Sequence, residues 1–198
     1  PNRVVITGDL IDKIAWLPEV CERLTTFTKQ IPDGVDFILG NHEYHHDVNK
    51  VLDELRHNTP MNILVNSNIQ IMGGKQPVYI AGVAYDNDRE KEKREAMIDK
   101  ALSGIPDYAF VILLAHHPEF FEEAIERKIP LTISGHTHGG QIVFMGMPLV
   151  PTGTPYTKGR YVEEQSVCYV NNGTGHWFPI RINCPREITV ITFFDGVA

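Results

Sequence analysis

Four short polar blocks in this chain each follow directly after an apolar run that has the length and composition of a β-strand. The blocks are Gly8-Asp9, Gly40-Asn41-His42-Glu43, His116-His117 and Gly135-His136-Thr137-His138. In open α/β sheets, the crevice at the carboxyl ends of the strands is where ligands bind, so these side chains are expected to converge at one sheet edge. Convergence of these side chains requires a fold in which several buried strands end at a common site.

The remaining pattern predicts strands that alternate with helices. Strand-like runs cover 4–7, 35–39, 62–65, 68–72, 77–83, 109–115, 131–134, 141–144, 167–171 and 188–194, and helical spacing covers 16–31, 47–56, 89–102 and 118–127. Residues 146–159 are rich in Gly, Pro and Thr, which predicts a long surface loop. The stretch 146–161 is expected to shape the substrate pocket. Alternating elements followed by a run of strands indicate a layered α/β domain with two packed sheets.

Composition sets limits on size and partners. With 198 residues, the chain is expected to form a single domain over 1–198. The net charge of -7 disfavours a dedicated nucleic-acid binder, because phosphate backbones demand a basic surface. Bound dications would reverse the local field, so an anionic substrate remains compatible with this charge. The three cysteines form no metal-binding spacing and are expected to be reduced and buried.

The donors in the four blocks favour particular metals. An Asp, an Asn and several His side chains suit Mn, Fe, Co or Zn better than Ca, which prefers oxygen ligands alone. The segment from His136 to His138 is the sharpest signal, because alternate residues of an extended segment lie on one side. Taken singly, Asp9 also fits a cap of the next helix or turn, and Asn41-His42-Glu43 fits an ordinary polar turn.

The order Gly-Asp, Gly-Asn-His-Glu, His, Gly-His-x-His resembles the calcineurin-like metallophosphoesterases. The segment Ser134–Gln141 and the tail from Tyr169 to Ile188 are similar to the bacterial, often membrane-associated branch of that superfamily. The resemblance covers nearly the whole chain. It implies a four-layer α/β/β/α sandwich and metal-dependent hydrolysis of a phosphoester, in particular a phosphodiester or pyrophosphate. The substrate would be a small-molecule or lipid-linked phosphoester, with no specific nucleic acid involved.

The same resemblance implies roles for single residues. Asp9 would bridge two divalent metal ions, drawn from Mn, Fe, Zn and Co. The second metal would be completed by Asn41, His116 and His136, and His138 would bind the first. His42 would act catalytically on the phosphate, either stabilising the transition state or protonating the leaving oxygen, while His117 is not expected to be a ligand.

This sequence departs from the family pattern at its start. Family members carry an Asp-x-His block on a strand before the Gly-Asp block, and the chain begins too late to contain it. The first metal would keep only Asp9 and His138, so that site is expected to be weak or empty. We therefore expect an N-terminally truncated domain without the first strand, from a longer bacterial parent that is cytoplasmic or membrane-peripheral. Membrane association would run through the missing N-terminal segment.

Two other functions fit parts of the sequence. His42, Glu43 and His46 match the His-Glu-x-x-His pattern of zinc hydrolases of amide bonds, although they follow a strand and a glycine. The incomplete first metal site is compatible with a non-catalytic metal-binding or scaffold module.

Overall fold

A computed structural model describes residues 1–71, 76–85 and 90–194 of the chain. Eleven strands are found in the described part: β1 Val4–Ile6, β2 Val35–Ile38, β3 Asn62–Leu64, β4 Ser67–Ile71, β5 Val78–Gly82, β6 Phe110–Leu114, β7 Leu131–Ser134, β8 Val143–Phe144, β9 Met147–Pro148, β10 Gly159–Glu163 and β11 Ser166–Val170. Five α-helices accompany them: α1 Leu17–Thr28, α2 Asn41–Tyr44, α3 Val48–Asn58, α4 Lys91–Leu102 and α5 Phe120–Glu126. Two predicted end residues, Met72 and Arg89, lie outside the described ranges.

The strands form two main sheets and a hairpin. Strands β1, β2 and β3 pair in that order as a parallel sheet. The second sheet has the order β10-β11-β7-β6-β5-β4, in which β5, β6, β7 and β11 are parallel and the two edge strands are antiparallel. Strands β8 and β9 form a separate antiparallel hairpin. The two-sheet architecture agrees with the sequence prediction.

Three groups of buried apolar side chains show how the layers stack. Helices α1 and α3 pack on the first sheet through residues such as Leu17, Val51 and Phe37. A second group, which includes Ile38 and Ile112, joins the two sheets to each other. Side chains of α4 and α5 pack on the opposite face of the second sheet. The order helix, sheet, sheet, helix is the predicted four-layer sandwich, and parallel sheets are typically covered in this way.

The parallel strands bring the four polar blocks to one place. Strands β1 and β2 of the first sheet, and β6 and β7 of the second, each end directly before one block. The two sheets are tied together there, because the His116 ring donates to the carbonyl oxygen of Thr7 at 2.6 Å. Backbone bonding continues beyond β6, where Gly135 N donates to the His116 carbonyl at 3.1 Å. The fold thus aligns four strand ends, although the strands belong to different sheets.

Two parts of the secondary-structure prediction are wrong. Residues 188–194 contain no strand; the contacts of this segment run through side chains instead, as where Asn171 Nδ2 donates to Thr189 Oγ1 at 2.7 Å. The predicted loop at 146–159 contains β9 and reaches the start of β10. Short hairpin strands carry weak periodicity, which explains why composition alone suggested a loop. Among the described residues, no helix is long and apolar enough to cross a membrane.

Candidate metal centre

Four side chains, one from each polar block, meet at one point. Around His116 Nε2 lie Asp9 Oδ2 at 3.2 Å, Asn41 Oδ1 at 3.0 Å and His136 Nδ1 at 3.1 Å. The Asn41 oxygen is also 2.9 Å from His136 Nδ1. Ligand atoms about 2.1 Å from a metal lie roughly 3.0 Å apart in an octahedral shell and about 3.4 Å apart in a tetrahedral one. The observed spacing therefore matches the shell of one small cation.

The protonation of His116 supports this interpretation. Its Nδ1 is committed as a donor to the Thr7 carbonyl, so in the neutral ring Nε2 presents a lone pair to the other donors. A carboxylate, an amide oxygen and two imidazole nitrogens then face one another with few hydrogens to share. Burial disfavours the charged form of the His116 ring, but pairing with Asp9 raises the pKa of His116 above its usual value. The cluster therefore attracts a proton, which is a positive charge, to the point where the donors meet. A divalent cation satisfies all four donors at once.

The pKa shifts of Asp9 and His136 also arise from burial and from interactions within the cluster. Burial disfavours the charged form of Asp9, but its hydrogen bond and charge interaction with His116 hold its pKa well below the usual range. Burial lowers the pKa of His136 to about 3, and the neighbouring rings of His117 and His116 add to the effect. Asp9 is thus ionised and His136 neutral at neutral pH, the forms in which each binds a metal.

Close backbone packing makes this convergence possible. A Cβ on Gly8 would lie 2.6 Å from the Cα and N of Gly40 and from His116 Nδ1, so only glycine fits between these loops. Asp9 itself has a φ of 55° and His136 a φ of 66°. Such left-handed backbone at non-glycine residues is costly and is held only where the surroundings require it, typically at functional sites.

Glu43 explains how the two loops are held. This fully buried carboxylate accepts hydrogen bonds from the backbone N–H groups of Gly40, Asp9, Leu10 and Ile11 at 2.7–3.2 Å. Burial raises the pKa of Glu43, while these N–H donors oppose that shift. Glu43 therefore joins the Gly-Asp loop to the start of α2.

His42 occupies the open side of the same centre. Its backbone N–H donates to Asp9 Oδ1 at 2.9 Å, and its ring Nδ1 donates to Asp12 Oδ1 at 3.1 Å. The Nε2 atom lies 4.0 Å from Asp9 Oδ2, and 28% of the side chain is exposed. Sequence reasoning missed Asp12, although its position three residues after Asp9 was a usable signal. An oriented imidazole that faces solvent beside the donor cluster is suited to meet a bound substrate.

His138 does not join the four converging donors in this structure. Its Nδ1 accepts from the guanidinium of Arg181 at 3.2 Å, and burial followed by the Arg181 charge lowers the pKa of His138 to about 4. In the neutral ring the hydrogen then sits on Nε2, which must be free of it to bind a metal. Sequence spacing gave no signal for Arg181, which is 43 positions away.

His117 lies next to the cluster. Its ring stacks on that of His136 with a centroid separation of 3.7 Å. Nitrogens of His116, His117 and His136 all lie within 4.8 Å of one another. The expectation that His117 is not a ligand stays a prediction, as do the metal-binding roles of Asp9, Asn41, His116, His136 and His138.

A cleft of about 250 Å³ opens over the centre. Asp9, Asn41, His42 and both histidines of the Gly-His-Thr-His block line one part of it. The other part is formed by Val150, Pro151, Thr152 and Trp177, of which the first three lie in the predicted pocket loop. The cleft therefore pairs a polar floor with a partly apolar wall.

The His-Glu-x-x-His alternative does not fit this geometry. Helix α2 ends at Tyr44, so His42 and His46 do not lie on one continuous helix. The His46 ring donates to the Asp12 carbonyl at 3.1 Å. Glu43 is occupied by four backbone N–H groups and is not available as a general base.

Relatives identify the family. Residues 1–140 match the calcineurin-like phosphoesterase family model. An uncharacterized metallophosphoesterase of Campylobacter jejuni is 37% identical over 199 residues, which cover 96% of this chain and 50% of that protein. A transmembrane protein with metallophosphoesterase domain from Danio rerio is 32% identical over 204 residues, covering 96% of this chain and 45% of that protein. The chain spans about half the length of the curated relatives it matches.

Solved structures agree on the fold. Thermus thermophilus sulfate thiohydrolase SoxB aligns with a TM-score of 0.52 and 15% identity, covering 84% of this chain and 33% of that one. Haemophilus influenzae NAD nucleotidase NadN gives a TM-score of 0.52 and 16% identity, over 86% of this chain and 40% of the other. The predicted superfamily and fold class are confirmed, while the bacterial branch and the metal-dependent phosphoesterase activity stay predictions. This chain belongs to the calcineurin-like phosphoesterase family.

Proposed function

We propose that this chain hydrolyses a phosphodiester or pyrophosphate at a centre that holds two divalent metal ions. The observation that carries the proposal is the convergence of donor atoms from Asp9, Asn41 and His136, which lie 3.0–3.2 Å from His116 Nε2. The donor set favours Mn, Fe, Co or Zn. A divalent metal in such a site polarises phosphoryl oxygens and lowers the pKa of water, so that hydroxide is available near neutral pH.

The residues of the chain would divide the work. Asn41, His116 and His136 would hold the second metal, and Asp9 would serve both metals with its two oxygens. His138 would hold the first metal, which requires its contact with Arg181 to change, so we expect this site to be the weaker one. Membership of the calcineurin-like phosphoesterase family supports the presence of two metals.

His42 would act on the phosphoryl group from the open side of the cleft. Asp12 fixes the ring through Nδ1, which leaves Nε2 directed toward the centre near Asp9. From there His42 would donate a proton to the leaving oxygen or stabilise negative charge as it develops. We also propose a lipid-linked substrate and a membrane-peripheral location, and the apolar wall of the cleft supports both.

The direct test uses the purified chain loaded with Mn and a panel of substrates: a chromogenic phosphodiester, a phosphomonoester, a nucleoside diphosphate sugar and a chromogenic peptide. We expect turnover of the diester or the pyrophosphate, loss with a chelator, and recovery when Mn is restored. The matched variant is His42→Ala, which should keep the metal and lose turnover.

Two outcomes would decide against the proposal. Peptide cleavage without phosphoester cleavage would favour an amide hydrolase. Stoichiometric metal binding with no hydrolysis of any member of the panel would favour the scaffold alternative, in which the centre has a structural use.

A further inference from the structure

The fully buried side chain of Gln141 has no task in the metal centre proposed above. Gln141 follows the Gly-His-Thr-His block closely, and its backbone has a φ of 50°. Left-handed backbone at a non-glycine residue is costly and persists only where the surroundings hold it. Buried polar side chains are almost always hydrogen-bonded, so the partners of the Gln141 amide show what this residue does.

Every hydrogen-bonding position of the Gln141 side chain is used by the backbone of residues 177–180. Nε2 donates to the carbonyl oxygens of Phe178 and Ile180 at 2.6 and 3.0 Å. Oε1 accepts from the N–H groups of Trp177 and Phe178 at 2.9 and 3.4 Å. A primary amide offers two donor hydrogens and an oxygen with two lone pairs, so all four positions are filled. Gln141 thus joins the loop after β7 to residues 177–180 through four bonds.

The segment 174–180 depends on such contacts for its position. All seven residues are exposed, and the segment contains no helix or strand. An exposed irregular segment gains little from packing and keeps much conformational entropy unless specific bonds hold it. Arg181 bonds the first part, since its Nη2 donates to the carbonyl oxygens of Asn172 and Gly175 at 2.8 and 2.7 Å. Gln141 therefore fixes the part that carries Trp177.

Trp177 is the reason why the position of this segment matters for the cleft. Its side chain lines the cleft together with Val150, Pro151 and the donors Asp9 and His136. The side chain is 52% exposed, so core packing does not explain a tryptophan at this position. Ligand sites typically combine apolar walls with a few polar groups that fix orientation. A phosphoester bound at the donors would present its organic group to the indole ring.

We propose that Gln141 is a positioning residue, which holds Trp177 as the specificity-determining wall of the cleft. The indole would contact an apolar group that is joined to phosphorus through an ester oxygen. Contact releases water from the apolar group and from the ring, so phosphodiesters with aryl or alkyl groups at that place would be preferred. The proposal rests on the phosphoester specificity proposed above and adds to it the chemistry of the organic group.

The test compares the affinity of the Mn-loaded chain for dimethyl, dibutyl and diphenyl phosphate by isothermal titration calorimetry. All three esters carry one negative charge, so the ratio of their dissociation constants reports on the organic group. We expect the dibutyl or diphenyl ester to bind about tenfold more tightly than the dimethyl ester. Trp177→Ala should reduce this preference about fivefold, and Trp177→Phe should restore most of it. A larger loss for the diphenyl ester would identify an aromatic group, and a larger loss for the dibutyl ester an alkyl group.

Gln141→Met tests the positioning role, because it keeps the length of the side chain and removes all four bonds. The released backbone groups lie in an exposed segment and can reach water, so circular dichroism should show an intact fold. In a Trp16→Phe background, Trp177 is the only tryptophan, and its emission should shift to longer wavelength as the ring becomes more solvated. The preference should fall as in Trp177→Ala. Gln30→Met, the same change at an exposed position, is the matched control and should alter neither property.

Four results would overturn the proposal. They are equal affinity of the wild type for the three esters, an unchanged preference in Trp177→Ala, wild-type emission and preference in Gln141→Met, and general unfolding of Gln141→Met. The last result would make Gln141 a support of the whole fold. Because affinity is measured without turnover, a normal preference in a chain that hydrolyses no phosphoester would contradict only the proposed function.

Discussion

The buried and the open side of the candidate metal centre are built in opposite ways. On the buried side, His116 is 3% exposed and is fixed by the Thr7 carbonyl, with Asp9, Asn41 and His136 packed around its Nε2 atom. On the open side, His42 is 28% exposed and His138 is engaged by Arg181. The buried donors contact one another, whereas the two open histidines are held by Asp12 and Arg181 outside the donor cluster. This difference suggests that metal binding and phosphoester chemistry are separable by mutation.

The largest effect is expected for Asp9, which serves both sides. Asp9→Ala removes the only carboxylate among the four converging donors, so we expect metal loss and a fall in activity of more than about 10⁴-fold, beyond the range of a single proton-transfer residue. Elemental analysis and turnover of a phosphodiester measure the two effects. Unchanged metal content would contradict the assignment of Asp9 as a bridging ligand. Asp33→Ala, at an exposed turn, is the control for general effects of losing a carboxylate.

His42→Ala tests the open side alone. Because His42 is not among the converging donors, the variant should keep its metal while kcat falls about 10²–10⁴-fold. Loss of metal in parallel with activity would show that His42 contributes to metal binding, and would contradict the separation between the buried and the open side. Activity within twofold of the wild type would show that His42 has no role in turnover. His45→Ala is a neighbouring control, since it removes an imidazole outside the cleft lining.

Glu43→Gln tests whether the hydrogen bonds of the Glu43 carboxylate stabilise the buried side of the centre. The amide has one acceptor oxygen in place of two and points N–H donors at backbone N–H groups, which leaves buried donors unsatisfied. We expect a loss of about 2–3 kcal/mol in the free energy of unfolding. Denaturant titration measures this, and a metal titration should show weaker binding in the variant that remains folded. A stability equal to the wild type would mean that the four backbone contacts contribute little.

Asp12→Asn is expected to give the smallest effect of the four. The substitution keeps the shape of the side chain but removes the charge that faces His42 Nδ1 at 3.1 Å. We expect kcat to fall about tenfold, with KM and metal content close to wild type, because only the orientation and charge balance of the imidazole change. In a His42→Ala background the Asp12 substitution should have no further effect. Additive losses would show that Asp12 acts by another route.

Much of this arrangement was predictable from the sequence. Each polar block follows a strand, and the strand runs at 35–39 and 109–115 were found nearly to the residue. The prediction succeeded there because continuous apolar runs are strong signals in parallel sheets. It failed at 188–194, where a β-like composition has no strand pairing. Pairing depends on a neighbour in space, which an alternating pattern cannot supply.

The contacts of Glu43 and Arg181 lay beyond sequence reasoning for a related cause. Glu43 bonds to backbone groups of Asp9, Leu10 and Ile11, more than 30 positions away. Arg181 reaches His138 across 43 positions, and its selection as a partner depends on the path of the C-terminal segment. Such interactions follow from how loops fold over one another, and no local spacing encodes them.

The sequence by itself indicated the family, the layered α/β class and the candidate metal donors, because motif order, apolar runs and residue types at the ends of those runs are all local features of the chain. Only the tertiary structure decided that four donors share one buried point while His138 faces Arg181. It alone also placed the Gln141 side chain against the exposed segment that carries Trp177. The physical reason is that residue type fixes which bonds a side chain can make, whereas distances of a few ångströms between remote segments decide which of those bonds are made.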